Sequence, residues 1–267
     1  CSITAVVDSA HSAEVLAHAA RSEGVHLAVL VDVDVGQRRC GVASAAEAVA
    51  VARAVASFAE LQFRGIQAYH GRIQHLRDYA ERASAAAEVA HAAKHVASVL
   101  GAEGFHCEVI TGGGTGTFEF DAASGVFTEV QPGSYIFGDV DYARNLGEDG
   151  LPTKRWKQSL FVAATAIGCN RDARRVVLDA GMKAVSYDSG APRVRGYSEA
   201  AVAVENGGDE HTILHFCPET PLPSLGDQLL LVPGHCDPTV NLHDHLLGVR
   251  AGLVESVWHV AARGAGL

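Results

Sequence analysis

The sequence contains little that would place the protein outside the cell or in a membrane. Its six cysteines, at positions 1, 40, 107, 169, 217 and 236, include no C-x-x-C pair and no dense spacing. This spacing predicts neither a disulfide framework nor a structural zinc module, and reduced thiols favour a cytoplasmic protein. No apolar run approaches the roughly 18 to 20 residues that span a bilayer, and the first residues lack a signal-peptide pattern.

Basic charge is also scarce. The sequence has 21 Lys and Arg against 31 Asp and Glu, a net charge of −10, and no basic stripe. Because phosphate contacts require clustered Lys and Arg, we expect neither nucleic acid nor an anionic membrane as the main partner. Aromatic residues make up only 6%, whereas 14 histidines are a mild indication of metal or proton chemistry.

Methionine is almost absent. Met182 is the single methionine, and the sequence begins with Cys1. We therefore expect this chain to be part of a longer polypeptide, whose preceding part could include an organelle-targeting segment. At roughly 150 residues per domain, 267 residues with 48% apolar composition predict one large or two ordinary domains.

Residues 1–145 alternate short β-type runs with alanine-rich helical stretches, which predicts βα units around a parallel sheet. The predicted strands are 3–7, 27–34, 63–69, 107–111 and 127–135, and the predicted helices are 12–22, 44–58 and 76–100. A closed (β/α)₈ barrel has eight such units. We therefore predict that residues 1–145 are the last five βα units of a TIM-type barrel.

The second half has a different character. From about residue 145 the helical periodicity fades, and Gly, Pro and polar turns separate short apolar runs at 159–164, 176–178, 229–232, 246–250 and 253–260. This pattern predicts that residues 146–267 form a mostly antiparallel β-domain.

Polar residues follow the predicted strands of the first half, where the active site of a βα sheet lies. The segment 111–116 reads T-G-G-G-T-G, and its backbone N–H groups and flanking hydroxyls could converge on a phosphate. A tight turn is the alternative, at even odds. Tyr69 and His75 could position and deprotonate a substrate hydroxyl, and Arg39 could anchor an anion. Taken singly, each has an ordinary alternative, which is a surface or core-edge position for the histidine and a solvated side chain for the arginine.

His235 and Asp237 are the sharpest local signal. They lie two apart in P-G-H-C-D-P-T, and on an extended segment their side chains would point to the same side and offer nitrogen and oxygen to one divalent ion. Two protein ligands would leave positions open for water or a chelating substrate, as in catalytic sites. The spacing alone is weak, so a pair without a metal remains the alternative.

The combination of motifs is more specific than its parts. V-D-V-G-Q-R-R-C-G-V (33–42), G-I-Q-A-Y-H-G-R-I-Q-H (65–75), T-G-G-G-T-G (111–116), Q-P-G-S-Y (131–135), D-A-G-M-K (179–183) and P-G-H-C-D-P-T (233–239) resemble the D-threonine aldolase and 3-hydroxy-D-aspartate aldolase family. The resemblance implies an alanine-racemase-like pyridoxal phosphate enzyme, with a (β/α)₈ barrel, a β-domain, and usually a homodimer.

The resemblance also implies roles for individual residues. His75 is similar to the base for the substrate β-hydroxyl, while His235 and Asp237 are similar to ligands of a divalent metal, Mn²⁺ first, with Mg²⁺, Co²⁺ or Zn²⁺ open. Gln131 is similar to the neighbour of the pyridine nitrogen, and its amide cannot protonate that ring as an acid would. The other expected cofactor contacts are Arg39 near the cofactor O3′, Tyr69 along the ring, and a phosphate grip of Thr111, Gly113, Gly114, Gly133, Ser134 and Tyr135.

One departure concerns the covalent lysine. The family carries its Schiff-base lysine in an R-P-H-x-K-x-H-K type segment on the first barrel strand, and this sequence contains no such segment. None of its lysines, Lys94, Lys154, Lys157 and Lys183, follows an early strand. We therefore assign no covalent lysine.

The implied reaction is retro-aldol cleavage of a D-β-hydroxy-α-amino acid to glycine and an aldehyde. Three alternatives stay open: a D-serine or 3-hydroxy-D-aspartate dehydratase of the same fold, a non-catalytic pyridoxal phosphate-binding homologue, and a metal-dependent barrel hydrolase. Asp237 counts modestly against the dehydratase, since some D-serine dehydratases resemble H-x-C at this point. The sequence does not rank the possible substrates.

Overall fold

The computed structural model describes residues 2–264, which form two compact units. Unit 1 consists of residues up to 133 together with 145–151, and unit 2 consists of 134–144 and the residues from 152 onward. The segment 134–144 therefore groups with the second unit, whereas the sequence suggested a single division after residue 145.

Unit 1 contains a parallel sheet whose five strands lie side by side in chain order. The strands are β1 (Thr4–Val7), β2 (Leu27–Asp32), β3 (Leu61–Gln67), β4 (Val109–Gly112) and β5 (Glu129–Val130). Parallel neighbours joined by helices are the βα units that the alternation predicts.

Three of the four helices of unit 1 begin directly after a residue whose side chain caps them. They are α1 (Ala10–Ser22), α2 (Ala45–Ala56), α3 (Tyr79–Ala102) and the short α4 (Phe118–Ala123). The side chains of Ser9, Ser44 and Asp78 each accept a hydrogen bond from a backbone N–H of the first turn. Such a cap stabilises a helix by about 1 kcal/mol. Alanines and valines of the helices pack on buried Val29, Val31 and Ile66 of the sheet.

Unit 2 contains a six-stranded sheet with the spatial order β8-β11-β6-β7-β10-β9 and a separate hairpin of β12 and β13. The strands are β6 (Val162–Asn170), β7 (Arg175–Leu178), β8 (Arg193–Val194), β9 (Val202–Asn206), β10 (Thr212–Phe216), β11 (Gln228–Val232), β12 (His245–Arg250) and β13 (Leu253–His259). Every pairing in it is antiparallel, as predicted.

One helix replaces a segment that the sequence suggested to be extended. α5 (Cys236–Asn241) begins directly after His235, which is the residue preceding the first turn and has extended backbone angles. The assumption of an extended H-x-D segment is therefore wrong. Among the helices of residues 2–264, none is both long enough and apolar enough to cross a bilayer.

Candidate active site

The buried side-chain amide of Gln74 binds the glycine-rich loop that follows β4. The Gln74 side chain is 1% exposed, and its Oε1 accepts hydrogen bonds from the backbone N–H of Gly116 (3.0 Å) and of Thr117 (3.1 Å). A Cβ on Gly116 would lie 2.1 Å from the Gln74 carbonyl oxygen, so no larger residue fits there. Gln74 thereby fixes the second half of the loop against unit 1.

The buried side chain of Asp121 lies against the first half of the loop, next to Gly113. Asp121 is 1% exposed, and a Cβ on Gly113, whose φ is +66°, would lie 2.4 Å from its Oδ2. Burial raises the pKa of Asp121 to about 6, although a hydrogen bond from the Thr117 hydroxyl at 2.5 Å opposes the shift. Its Oδ1 has no partner among the described residues.

One hydroxyl of the loop fits the phosphate expected here. Thr115 is 5% exposed, and its buried Oγ1 has no hydrogen-bond partner within the described part of the chain. An unpartnered buried hydroxyl is costly unless a ligand pairs with it. A Cβ on Gly133 would meet no atom within 4 Å, so packing does not require glycine there. The phosphate contacts predicted from the sequence do not include Thr115, although it belongs to the T-G-G-G-T-G motif.

Thr111 and Gln131 belong to a row of polar side chains along the carboxyl ends of the strands. The Gln131 Nε2 group donates to Thr111 Oγ1 at 2.9 Å and to Gln67 Oε1 at 3.3 Å. Gln67 Nε2 donates to Asp32 Oδ1 at 3.1 Å, and the Thr111 hydroxyl donates to Glu129 Oε1 at 2.6 Å. No role was predicted from the sequence for Asp32, Gln67 or Glu129.

The structure brings Arg39 and Tyr69 together. The guanidinium carbon of Arg39 lies 5.9 Å from the centroid of the Tyr69 ring, within the range of a cation–π interaction. The Tyr69 hydroxyl also lies beside the glycine turn, since a Cβ on Gly114 would be 3.1 Å from it. Both predicted ring contacts therefore lie near the loop of unit 1.

Two histidines follow β3. His75 ends the short 3₁₀ turn Arg72–His75 and is half-buried. His70 has a buried Nδ1 without a partner in the described residues, and burial lowers its pKa. A Cβ on Gly36 would lie 3.2 Å from His70 Nε2, which places this ring against the loop after β2.

In unit 2, His235 lies between two carboxylates. Its Nδ1 is 2.7 Å from Asp188 Oδ2, and its Nε2 is 3.2 Å from Asp237 Oδ2. The Ser134 hydroxyl donates to the same Asp237 oxygen at 3.0 Å. His235 and Asp237, the expected metal ligands, are thus adjacent in space. Asp188 lies 47 residues from His235 in the chain, and no sequence motif predicts its contact with His235.

These contacts shift the pKa values of all three groups. The hydrogen bond to Asp237 and, against burial, the one to Asp188 raise the pKa of His235 to about 9. The hydrogen bond from His235 lowers the pKa of Asp237 to about 2. For Asp188, hydrogen bonds from Ser186 and His235 outweigh burial and lower the pKa. These hydrogen bonds therefore favour the charged form of the imidazole and of both carboxylates.

The donor set suits a divalent ion in its chemistry. Imidazole nitrogen and carboxylate oxygen are ligands of Mn²⁺, Co²⁺ and Zn²⁺, and carboxylate oxygen is a ligand of Mg²⁺. Over residues 2–264, no three His, Cys, Asp or Glu side chains are grouped as a metal cage, so His235 and Asp237 are considered as a pair with open positions. Cys236 is buried, and burial raises the pKa of its thiol.

Unit 2 also has a cavity of about 360 Å³ lined by Arg193, Arg195, Trp156 and Tyr197, among others. Arg195 lies 4.6 Å from the centroid of the Phe161 ring, and Arg193 is 3.5 Å from Glu199. Tyr135, expected in the phosphate grip, is 40% exposed and has its ring 5.2 Å from that of Trp156.

Comparisons with known proteins identify the family of this chain. Residues 2–141 match the alanine racemase N-terminal domain family, and residues 159–249 match a serine dehydratase domain family. The chain is 44% identical over 262 residues to a D-threonine aldolase from an Arthrobacter species, covering 98% of this chain and 68% of that protein. It is 39% identical over 266 residues to a 3-hydroxy-D-aspartate aldolase from Paracoccus denitrificans, covering 99% and 67%.

Solved structures confirm the predicted class of fold, a (β/α)₈ barrel with a β-domain. The crystal structure of D-threonine aldolase from Filomicrobium marinum superposes with a TM-score of 0.92 at 38% identity, covering 98% of this chain and 70% of that one. D-threo-3-hydroxyaspartate dehydratase from Delftia sp. HT23 superposes with a TM-score of 0.82 at 23% identity, a level that supports the fold alone.

Proposed function

Since this chain belongs to the D-threonine aldolase and 3-hydroxy-D-aspartate aldolase family of alanine-racemase-like proteins, we propose that it is a pyridoxal phosphate-dependent lyase that cleaves D-β-hydroxy-α-amino acids of the D-threonine type. The observation that carries the proposal is the 44% identity to a D-threonine aldolase over 98% of the chain. The products are glycine and an aldehyde.

Residues of unit 1 would hold the cofactor by non-covalent contacts, and no lysine of this sequence is assigned to a covalent bond with it. Gly113, Gly114 and the unpartnered hydroxyl of Thr115 are suited to the phosphate, since backbone N–H groups and a hydroxyl can share its charge. Arg39 and Tyr69 would line the ring, and Gln131 would face its nitrogen. When bound, pyridoxal phosphate would supply an electron sink for the bonds at the substrate Cα.

His75 is the base in this proposal. It accepts the proton of the substrate β-hydroxyl, and loss of that proton favours cleavage of the Cα–Cβ bond over loss of hydroxide. His235 and Asp237 would hold a divalent ion, Mn²⁺ in the first instance, whose Lewis acidity would lower the pKa of the hydroxyl. Ser134, which donates to Asp237, would support that carboxylate.

Product analysis tests the proposal. The protein with pyridoxal phosphate and Mn²⁺ is expected to convert D-threonine to glycine and acetaldehyde in equal amounts, with L-threonine as the stereochemical control. If D-threonine gave 2-oxobutanoate and ammonia without glycine, the protein would be a dehydratase and the aldolase proposal would be wrong.

That dehydratase is the second candidate, because residues 159–249 match a serine dehydratase domain family. The chain is also 30% identical over 196 residues to the D-threo-3-hydroxyaspartate dehydratase of Delftia sp.. A homodimer and a cytoplasmic location complete the proposal. The homodimer rests on the family resemblance. The cytoplasmic location rests on the spacing of the cysteines, which include no C-x-x-C pair.

A further inference from the structure

The carboxamide of Gln131 lies inside a row of hydrogen bonds that has a carboxylate at each end. The sheet register builds this row: Asp32 is paired with Gln67, Gln67 with Thr111, and Thr111 with Glu129 on the four adjacent strands β2 to β5. Because the strands are parallel, their carboxyl ends bring these side chains to one edge of the sheet. Gln131 follows β5 directly and lies between Gln67 and Thr111.

The carboxylates determine the direction of every hydrogen bond in the row. An ionised carboxylate only accepts, so Gln67 must turn its NH₂ toward Asp32 and its oxygen toward Gln131. The Thr111 hydroxyl must give its proton to Glu129, so its oxygen can only accept from Gln131. Both neighbours therefore require a donor, and the two N–H bonds of the Gln131 amide are both used.

This leaves the Gln131 Oε1 as the free atom of the amide. The backbone N–H of Gln131 donates to the carbonyls of Gly112 (3.0 Å) and Gly113 (2.7 Å), which keeps the residue beside the glycine turn. Rotating the amide by half a turn would place oxygen against oxygen at Gln67 and against the Thr111 oxygen, and both hydrogen bonds would be lost. The amide is thus fixed as an acceptor.

We infer that Gln131 offers only a hydrogen-bond acceptor to its ligand, so that the cofactor ring nitrogen beside it is held in the protonated, pyridinium form. Gln67 and Thr111 are then positioning residues, which act through Gln131. This inference rests on the proposed function, which puts the ring nitrogen next to Gln131. An unprotonated nitrogen would face the oxygen with lone pair against lone pair, whereas an N⁺–H donor would gain a charge-assisted hydrogen bond.

The test measures the protonation of the ring directly. Pyridoxamine 5′-phosphate labelled with ¹⁵N in the ring serves as the probe, because it binds without forming an imine. Its ¹⁵N shift distinguishes pyridinium from pyridine and is followed against pH in the wild-type protein and in the double variant Gln67→Met/Thr111→Val. The control is Thr128→Val, which removes a hydroxyl that accepts from Ile110 N at 2.9 Å outside the row.

The wild-type protein and the Thr128→Val variant are expected to raise the pKa of the ring nitrogen above that of the free probe. The double variant is expected to lower this pKa by about one unit, a tenfold change in proton affinity, because its amide can turn and donate. Gln131→Met, which removes the acceptor oxygen, is expected to lower the pKa in the same direction. This single variant decides the matter if the double variant does not fold.

The outcomes separate the two proposals. If the probe binds to the wild-type protein as neutral pyridine, or if the double variant or Gln131→Met leaves the ring pKa unchanged or raises it, the inference is overturned while cofactor binding stands. If the wild-type protein does not bind the probe at all, the proposed cofactor fails, and the inference fails with it.

Discussion

At the scale of single residues, Asp121 carries a charge that its surroundings disfavour. Its folded pKa of about 6 lies above the value of about 4 for an unfolded Asp. The stability it contributes is therefore complete below pH ~4 and is lost as the pH rises through ~6. We predict that Asp121→Asn removes this pH dependence. The unfolding free energy of the variant minus that of the wild type is expected to increase by about 2 to 3 kcal/mol between pH ~4 and pH ~8.

Urea unfolding at both ends of this pH range measures the effect as a difference between variant and wild type. Glu23→Gln, an exposed substitution after α1, is the control and is expected to follow the wild type. A parallel fall of both stability curves with pH would contradict the prediction.

His75 is the second residue whose role can be isolated. If it is the base, His75→Asn should reduce glycine formation from D-threonine by about 100-fold or more. The affinity for pyridoxal phosphate should change little, since His75 is not assigned to the cofactor. Activity and cofactor titration are measured on the same preparation, with His18→Asn, exposed on α1, as control. Full turnover in the His75 variant would exclude it as the base.

The site residues predicted from the sequence lie in motifs, whereas the residues that contact them in the structure were not predicted. Gly113, Gly114 and Gln131 belong to motifs with a readable chemistry, and Tyr69 and Arg39 follow predicted strands. Asp188 approaches His235 only through the folding of unit 2, and Gln67 reaches Gln131 only through the register of parallel strands. Neither proximity has a local pattern, because it arises between segments distant in the chain.

At the scale of elements, α3 is connected to the glycine-rich loop through a buried arginine. Arg82 is 5% exposed, and its guanidinium donates to the carbonyls of Gly116 (2.9 Å), Leu76 (2.6 Å) and Leu146 (2.8 Å). Burial lowers its pKa, and no carboxylate forms a salt bridge with it among the described pairs. Arg82 therefore connects the helix, the loop and the segment 145–151 of unit 1.

We predict that Arg82→Met costs about 3 kcal/mol or more of unfolding free energy, because several buried carbonyls lose their donor. Hydrogen exchange should rise first in peptides that contain residues 111–123. Arg53→Met is the matched control: Arg53 is exposed and pairs with Glu103, and such surface pairs contribute about 0 to 1 kcal/mol. Equal losses for the two variants would contradict the interpretation of Arg82 as a buried clamp.

Strands and helices with strong periodicity were predicted well, and their ends were not. The prediction of a helix at 76–100 corresponds to α3 at Tyr79–Ala102, since Asp78 caps it. The strands β9 and β10 were missed, because their short runs lie among turn residues and gain their stability from pairing with each other. α5 was missed because six residues are too few for a helical period to be visible.

At the scale of the whole molecule, the proposed cofactor residues lie mainly in unit 1 and the proposed metal pair lies in unit 2. The two requirements should therefore be separable. We predict that a chelator abolishes cleavage of D-threonine and leaves pyridoxal phosphate bound, and that added Mn²⁺ restores the activity. Asp237→Ala should raise the Mn²⁺ concentration for half-maximal activity by about tenfold or more, since a ligand is lost.

Asp188→Asn is expected to raise the same half-maximal Mn²⁺ concentration by about 10-fold, because its carboxylate orients the His235 imidazole through Nδ1. Asp172→Asn, an exposed carboxylate of unit 2, provides the control for a simple loss of negative charge and should leave the metal requirement unchanged. The absorbance of the bound cofactor, followed in the same titrations, should be equal in all three variants. Release of the cofactor by the chelator would show that the two units do not divide these tasks, and the assignment of His235 and Asp237 to a metal alone would be wrong.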